Sequence, residues 1–144
     1  MNVLFDTSVL VAALIVDHPK HSESLPWLRR VKAGEIQGFI STHTLAELYA
    51  VLTRLPLSQP IAPTLAQRLI EENLDKFQKV VLTAEDYQIT LVRLVRLNII
   101  GGSIYDGLIA QAALKANVDI LLTLNPKHFN RLGDEVAQLV QVPT

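Results

Sequence analysis

Short apolar runs separated by helix-length stretches are the feature that most constrains this chain. Strands are expected at Asn2–Phe5, Ile36–Ile40, Lys79–Leu82, Asp119–Leu122 and Val136–Val142. Helices are expected at Val9–Val16, Ser22–Lys32, Thr44–Arg54, from Pro63 to about Asp75, from Thr83 to Gly101-Gly102, and at Ser103–Ala116. "NPKHF" (residues 125–129) reads as a further short helix start. Strand and helix alternate throughout, which implies an α/β fold with a mainly parallel sheet and right-handed crossovers. In such folds, sites gather beyond the carboxyl ends of the strands. Asp6 and Asn125 both fall there.

The local signals agree with this order. Gly34 closes the second helix. "PLSQPIAP" carries three prolines in eight residues and reads as a loop or hinge, after which Pro63 suits a helical first turn. Thr83 caps a helix that begins with Glu85 and Asp86 and ends with Arg93 and Arg96, as the helix dipole favours. At 144 residues, without repeat, low-complexity segment or linker, residues 1–144 read as one domain.

Composition removes several function classes. The chain has no cysteine, which excludes disulfides, thiolate zinc sites, iron–sulfur clusters and a cysteine nucleophile, and suits a reducing cytoplasm. Its net charge of −1 gives no global basic footprint for indiscriminate nucleic-acid binding, though a local patch for a particular RNA or DNA stays open. "VLVAALIV" (residues 9–16) is too short to span a bilayer. It is preceded by Asp6 rather than by basic residues, so it does not read as a signal peptide. No membrane partner is expected.

The candidate chemistry lies in isolated acids. Asp6 ends the first strand and opens the first helix; a plain N-cap explains it equally well. Asp106 sits in "SIYDGLIAQAAL" (residues 103–114). On a helical wheel it lies roughly 140° from Gln111 and roughly 180° from Lys115, on a stripe with Ala110 and Ala113. That places it inward, which favours a site over a capping box from Ser103. Glu47 lies opposite Leu45, Leu48, Tyr49 and Leu52. Its spacing alone favours a solvent-facing glutamate or a box with Thr44. Asn125 before Pro126 is an ordinary helix start. The four histidines lack zinc spacing, and "HPKH" (residues 18–21) reads as a surface loop. Phosphate-loop and nucleophile-elbow motifs are absent.

Three carboxylates from separate segments offer hard oxygen ligands, which suit Mg²⁺ or Mn²⁺. A bound cation reverses the repulsion between such a cluster and phosphate, so a metal-dependent nuclease or phosphatase is the chemistry suggested. A haloacid-dehalogenase-type phosphatase fits badly, because the first strand ends in "DTS" rather than D-x-D. So does a receiver domain, because the strands at Ile36–Ile40 and Lys79–Leu82 end in Ser41-Thr42 and Thr83.

Four stretches, in order, are "NVLFDTSVLVAAL", "ISTHTLAELYAVLTR", "GGSIYDGLIAQAAL" and "ILLTLNPKHF". Together they resemble a PIN domain of the kind found in VapC-type toxins. The resemblance implies a three-layer α/β/α fold with an acidic pocket at the carboxyl edge of its sheet. It also implies a Mg²⁺- or Mn²⁺-dependent endoribonuclease. By position, Asp6, Glu47 and Asp106 match the family's metal-binding acids, which raises Glu47 to the wall of an open groove. The fourth acidic position is Asn125, which keeps a carbonyl oxygen and an amide donor but adds no charge. Thr123 would orient the pocket. In the implied mechanism Asp6 and Asp106 hold the metal, Glu47 orients a water for in-line attack on an RNA phosphodiester, and Asn125 positions water or phosphate. Lys127, His128 and Arg131 are candidates to grip the RNA backbone, against a reading as ordinary solvated charge. The implied partners are an antitoxin in the groove and a second copy of the chain, with the apolar helices beside the Pro-rich loop as a possible dimer surface. The competing reading is a PIN-fold RNA- or protein-binding module with weak or no catalysis.

Overall fold

The computed structural model describes residues 1–144. Five parallel strands form one sheet: β1 (Asn2–Phe5), β2 (Gln37–Ser41), β3 (Gln78–Val80), β4 (Ile120–Leu122) and β5 (Val140–Gln141), in spatial order β3-β2-β1-β4-β5. Eight helices cover it: α1 (Thr7–Leu14), α2 (His21–Lys32), α3 (Thr42–Arg54), α4 (Pro63–Asn73), α5 (Ala84–Arg96), α6 (Ser103–Lys115), α7 (Pro126–Asn130) and α8 (Asp134–Ala137).

Alternation along each strand makes the three layers. Val3, Phe5, Ile40 and Leu122 enter a core shared with α1 to α4. Their neighbours Leu4, Phe39 and Leu121 enter a second core with α5 to α8. A strand buried on both faces carries no polar alternation, which is why the runs read as continuously apolar. In β2, Gly38 lets α2 and Phe77 close in; a Cβ there would stand 2.7 Å from Phe77 Cε2 and 2.8 Å from Val31 Cγ1.

The chain winds outward from β1 in both directions, so β1 and β4 flank a switch point where successive helices lie on opposite faces. A crevice opens at the carboxyl ends of such a strand pair. Asp6 extends the pairing by donating its N–H to Leu122 O at 2.9 Å.

Helix ends differ from the expectations in instructive ways. Gly34 does close α2, with φ +76 and the paired bonds Gly34 N to Val31 O and Glu35 N to Arg30 O. α5, however, stops before Gly101-Gly102: Asn98, at φ 54, closes it with the same bond pattern, and Asn117, at φ 52, closes α6. Asn tolerates this left-handed backbone, so a glycine was not required. The last expected strand, Val136–Val142, is mostly not a strand. Its start is α8, and only Val140–Gln141 pairs with β4. Val136 is fully buried in the second core, so an apolar residue there marks a helix contact rather than strand periodicity.

The face of α6 that carries Gln111 and Lys115 is not a solvent face. α5 packs on it, helped by Gly107, where a Cβ would stand 3.0 Å from Thr90 Cγ2. Asp86 joins the two helices. It closes a capping box with Thr83, accepts from Gln111 Nε2 at 3.1 Å and pairs with Lys115 Nζ at 2.6 Å. The Lys115 ammonium, with the hydrogen bonds from Thr83 and Gln111, holds the Asp86 carboxyl well below its usual range. Its stabilising effect is therefore present above the unfolded-state value and is lost only as pH falls through the lower folded-state value. Asp86→Ala is expected to cost about 1–3 kcal/mol in urea unfolding at neutral pH, since it removes the acceptor of the Thr83 N–H and hydroxyl, Gln111 and Lys115. The gap from the parent protein should narrow only below the ordinary carboxylate range; a gap unchanged at low pH would place the loss in packing instead.

Candidate active site

Asp6 occupies the N-cap position of α1 with extended backbone (φ −70, ψ 151), yet its side chain caps nothing. It is committed elsewhere. Ser8 Oγ and Thr123 Oγ1 each donate to Oδ2 at 2.8 Å. Those hydroxyls are themselves oriented by backbone: Leu124 N–H donates to Ser8 Oγ at 3.1 Å, and Asn125 N–H to Thr123 Oγ1 at 2.9 Å. A closed set of hydrogen bonds thus ties the end of β1 to the segment after β4 and holds one oxygen of a carboxylate only 4% exposed. Neither hydroxyl engages Oδ1.

The other candidates line the same cavity. Its volume is about 530 Å³, and its wall includes Asp6, Ser8, Glu47, Asp106 and Asn125, together with His18 and Lys20. All four residues singled out in the sequence therefore meet at the switch point, from α1, α3, α6 and the start of α7. The capping alternatives for three of them do not form. Ser41, not Thr44, caps α3, so Glu47 belongs to no box with Thr44. Gly102 is the cap residue of α6, and Ser103 instead accepts a hydrogen bond from Arg131. Asn125 makes no side-chain cap bond in front of α7.

Asp106 faces the cavity rather than the interior, with its side chain 27% exposed and His128 Nδ1 at 3.6 Å from Oδ2. The wheel placed it correctly away from Lys115, but the alanine stripe beneath it packs in the core while the helix's first turn opens outward. Glu47 is paired by His43, whose Nε2 lies 3.4 Å from Oε2. The histidines are thus more engaged than their spacing suggested. His128 and Arg131, weighed between an RNA grip and ordinary solvated charge, contact Asp106 and Ser103. Ser8 stands in the sequence only as part of "DTS"; the N–H that aims its hydroxyl comes from Leu124, 116 residues away.

Electrostatics mark the cavity. Burial raises the Asp6 carboxyl, the Ser8 and Thr123 hydrogen bonds oppose the rise, and the charges of Asp106 and Glu47 add to it. Burial likewise raises Asp106; His128 opposes this, Glu47 adds to it and Arg131 opposes it. Acids brought together against their own repulsion are what a cation relieves. The acids and Asn125 offer hard oxygens and the chain has no thiolate, a donor set that suits one. No three carboxylate or imidazole groups stand as a ready-made cage.

The comparisons with known proteins agree with the fold. The model of the PIN domain family matches residues 3–135. The chain belongs to the PIN domain family. Among its relatives, ribonuclease VapC27 of Mycobacterium tuberculosis is 34% identical over 116 residues, covering 80% of this chain and 79% of that protein. Ribonuclease VapC40 of the same species is 30% identical, covering 81% of each. Among solved structures, VapBC2 from Rickettsia felis, bound to a DNA fragment from its promoter, superposes with a TM-score of 0.72 at 22% identity, covering all of both chains. VapC20 of M. tuberculosis, a toxin that cleaves the sarcin–ricin loop, gives a TM-score of 0.64 at 18% identity, covering 83% of this chain and 86% of that one.

The raised Asp6 value fixes the sign of a stability test. A carboxyl that holds its proton more tightly when folded makes ionisation a cost to folding. That cost is fully present above the folded-state value and vanishes below the unfolded one. Asp6→Asn keeps an oxygen for both hydroxyls and removes the charge. In metal-free buffer at neutral pH it is expected to raise Tm by a few degrees, an advantage that shrinks as pH falls through the carboxylate range. Where Mn²⁺ raises the Tm of the parent protein, the same variant should lose most of that increase. A metal-free Tm below the parent's would show that the charge is not under strain.

Proposed function

We propose that this chain is a metal-dependent endoribonuclease and the toxin of a type II toxin–antitoxin pair. The observation that carries the reading is the Asp6 carboxylate, buried, held by Ser8 and Thr123, and facing Glu47 and Asp106 across one cavity at the β1–β4 switch point. The family, and relatives named as ribonucleases, give the substrate class its support.

Asp6 and Asp106, with Glu47, would hold Mg²⁺ or Mn²⁺. When bound, the ion supplies Lewis acidity and neutralises charge at the phosphate. The chain's own groups do the rest. Ser8 and Thr123 hold Asp6 in one orientation, so little reorganisation is needed when substrate arrives. Glu47, steadied by His43, is the carboxylate placed to orient a water for in-line attack on the phosphodiester. Asn125 offers an amide N–H to a phosphate oxygen or to that water. Lys20 in the cavity wall, with Lys127 and Arg131 beyond Asn125, offsets the charge of the RNA backbone.

A small antitoxin protein would occupy the acidic groove. A second copy of the chain has a surface available on α5, where Leu91, Val92 and Val95 are exposed, Val95 to 79%. The helices beside the Pro-rich loop offer a second such surface, where Tyr49 and Leu65 are exposed and Leu45, Ile70 and Leu74 line a groove between α3 and α4. No helix is long and apolar enough to cross a membrane; a cytoplasmic site of action, where RNA is found, goes with the ribonuclease reading. The second reading, a PIN-fold binding module with little catalysis, is favoured by one residue: Asn125 brings no charge where an acid would strengthen a second cation site.

Purified protein free of any partner is expected to cleave single-stranded or structured RNA in Mn²⁺ and to stop on chelation. Asp6→Asn and Asp106→Asn should each lower the rate by about a hundredfold or more. Cleavage that survives both substitutions would remove the proposed site; no cleavage of any RNA, with binding retained, would favour the binding module. Asn125→Asp is expected to tighten Mn²⁺ binding, read as a lower metal concentration at half-maximal Tm shift. In ultracentrifugation Val95→Glu should shift a dimer to monomer; an unchanged mass would move the interface elsewhere.

A further inference from the structure

His43 and Tyr105 stand on the first turns of α3 and α6, beside Glu47 and Asp106 of the cavity wall. Their rings are parallel, with an interplanar angle of 5° and centroids 5.5 Å apart, within the range of an offset stack. Both are tied to the site. His43 pairs with Glu47, and Tyr105 directly precedes Asp106. Successive helical residues point about 100° apart. Asp106 therefore faces the cavity while Tyr105 runs along the rim towards α3.

Tyr105 is not a core residue. It is 53% exposed, about what remains when one face of a ring is covered and the other left open. The covered face rests on His43, so the ring is held in place before anything binds, and little rotamer freedom remains to be lost. The cavity wall itself holds no Phe, Tyr or Trp. An open, backed aromatic face beside phosphate-directed acids is the usual equipment for an unstacked nucleobase. Single-stranded RNA is held by stacking bases on such rings, and the contact accepts any base because every base has a π-face.

We propose that the stacked His43–Tyr105 pair is a nucleobase platform, on which the free face of Tyr105 receives the base of a nucleotide adjoining the scissile phosphate. This rests on the ribonuclease reading. The platform holds the strand by its base while the carboxylates engage its phosphate, so the cleaved strand must be locally unstacked at that nucleotide. A base drawn out of a loop or bulge meets this requirement; a base inside a continuous duplex does not.

The test uses short single-stranded RNAs whose cleavage positions have been mapped with the parent protein in Mn²⁺. Each position flanking the cut is then replaced by an abasic nucleotide, and affinity is measured in the non-cleaving Asp6→Asn background. One flanking position should lose about 5- to 150-fold in affinity, the range of a single base–aromatic contact. Adding Tyr105→Ala should weaken the intact RNA by the same factor and abolish the effect of that abasic position. Tyr105→Trp should restore it. The Mn²⁺-induced Tm shift of Tyr105→Ala in the otherwise parental chain should match the parent, showing Asp106 still in place. Wild-type affinity in Tyr105→Ala, or an abasic penalty that persists without the ring, would overturn the platform while leaving the nuclease reading intact. Failure of the parent protein to cleave any RNA would overturn both.

Discussion

The site depends on how one carboxylate oxygen is held. Asp6 Oδ2 accepts from two hydroxyls, one on each side of the β1–β4 junction, and each hydroxyl is aimed by a backbone N–H of residues 124 and 125. A buried carboxylate needs this, because burial without hydrogen bonds disfavours its charge. The bonds offset only part of the penalty, and the nearby Asp106 and Glu47 add to it. The cavity thus holds its carboxylates against burial and against their own repulsion. The same bonds also fix where β1 ends, so the architecture of the sheet and the electrostatics of the site are one problem with one solution.

A second constraint positions the opposite wall. Asp106 is useful only if α6 is correctly rotated and translated over the sheet. Its far end is locked to α5 by Asp86, Gln111 and Lys115, and the close approach at Gly107 sets the spacing of the two helices. Alanines facing the second core let α6 lie close to the strands. Polar residues that look like a solvent face in projection thus serve as an interhelical clamp, and the candidate site carboxylate Asp106 sits one turn from a tightly packed interior. Packing rigidity in the helix body is what makes its first turn precise.

Much of this was legible before any coordinates. Short, continuously apolar runs are the mark of strands buried on both faces, and four of five stand where expected. Asp6 and Asn125 could be placed at strand ends because α/β folds put sites there. Other features were hidden because they join distant residues. Ser8 and Asp86 each stand just inside a helix start, and the partners that give them their further roles lie 116 and 29 residues away. The expected fifth strand failed for a related reason: Val136 is apolar because it fills the second core from a helix. Apolar patterning reports burial before it reports conformation.

The sequence by itself determined the α/β order, the parallel sheet and the identity of the acids, because these follow from local periodicity, capping residues and residue chemistry. Only the tertiary structure decided which acids face one another, which oxygen of Asp6 is occupied, and which apparent caps are not caps. It also decided that two aromatic rings from helices far apart in the chain stack at the rim. The physical reason is that hydrogen bonds, charge coupling and ring contacts act over a few ångströms in space. Spacing along the chain carries that distance only within a helix or between adjacent residues, and everything across the β1–β4 crevice lies outside its reach.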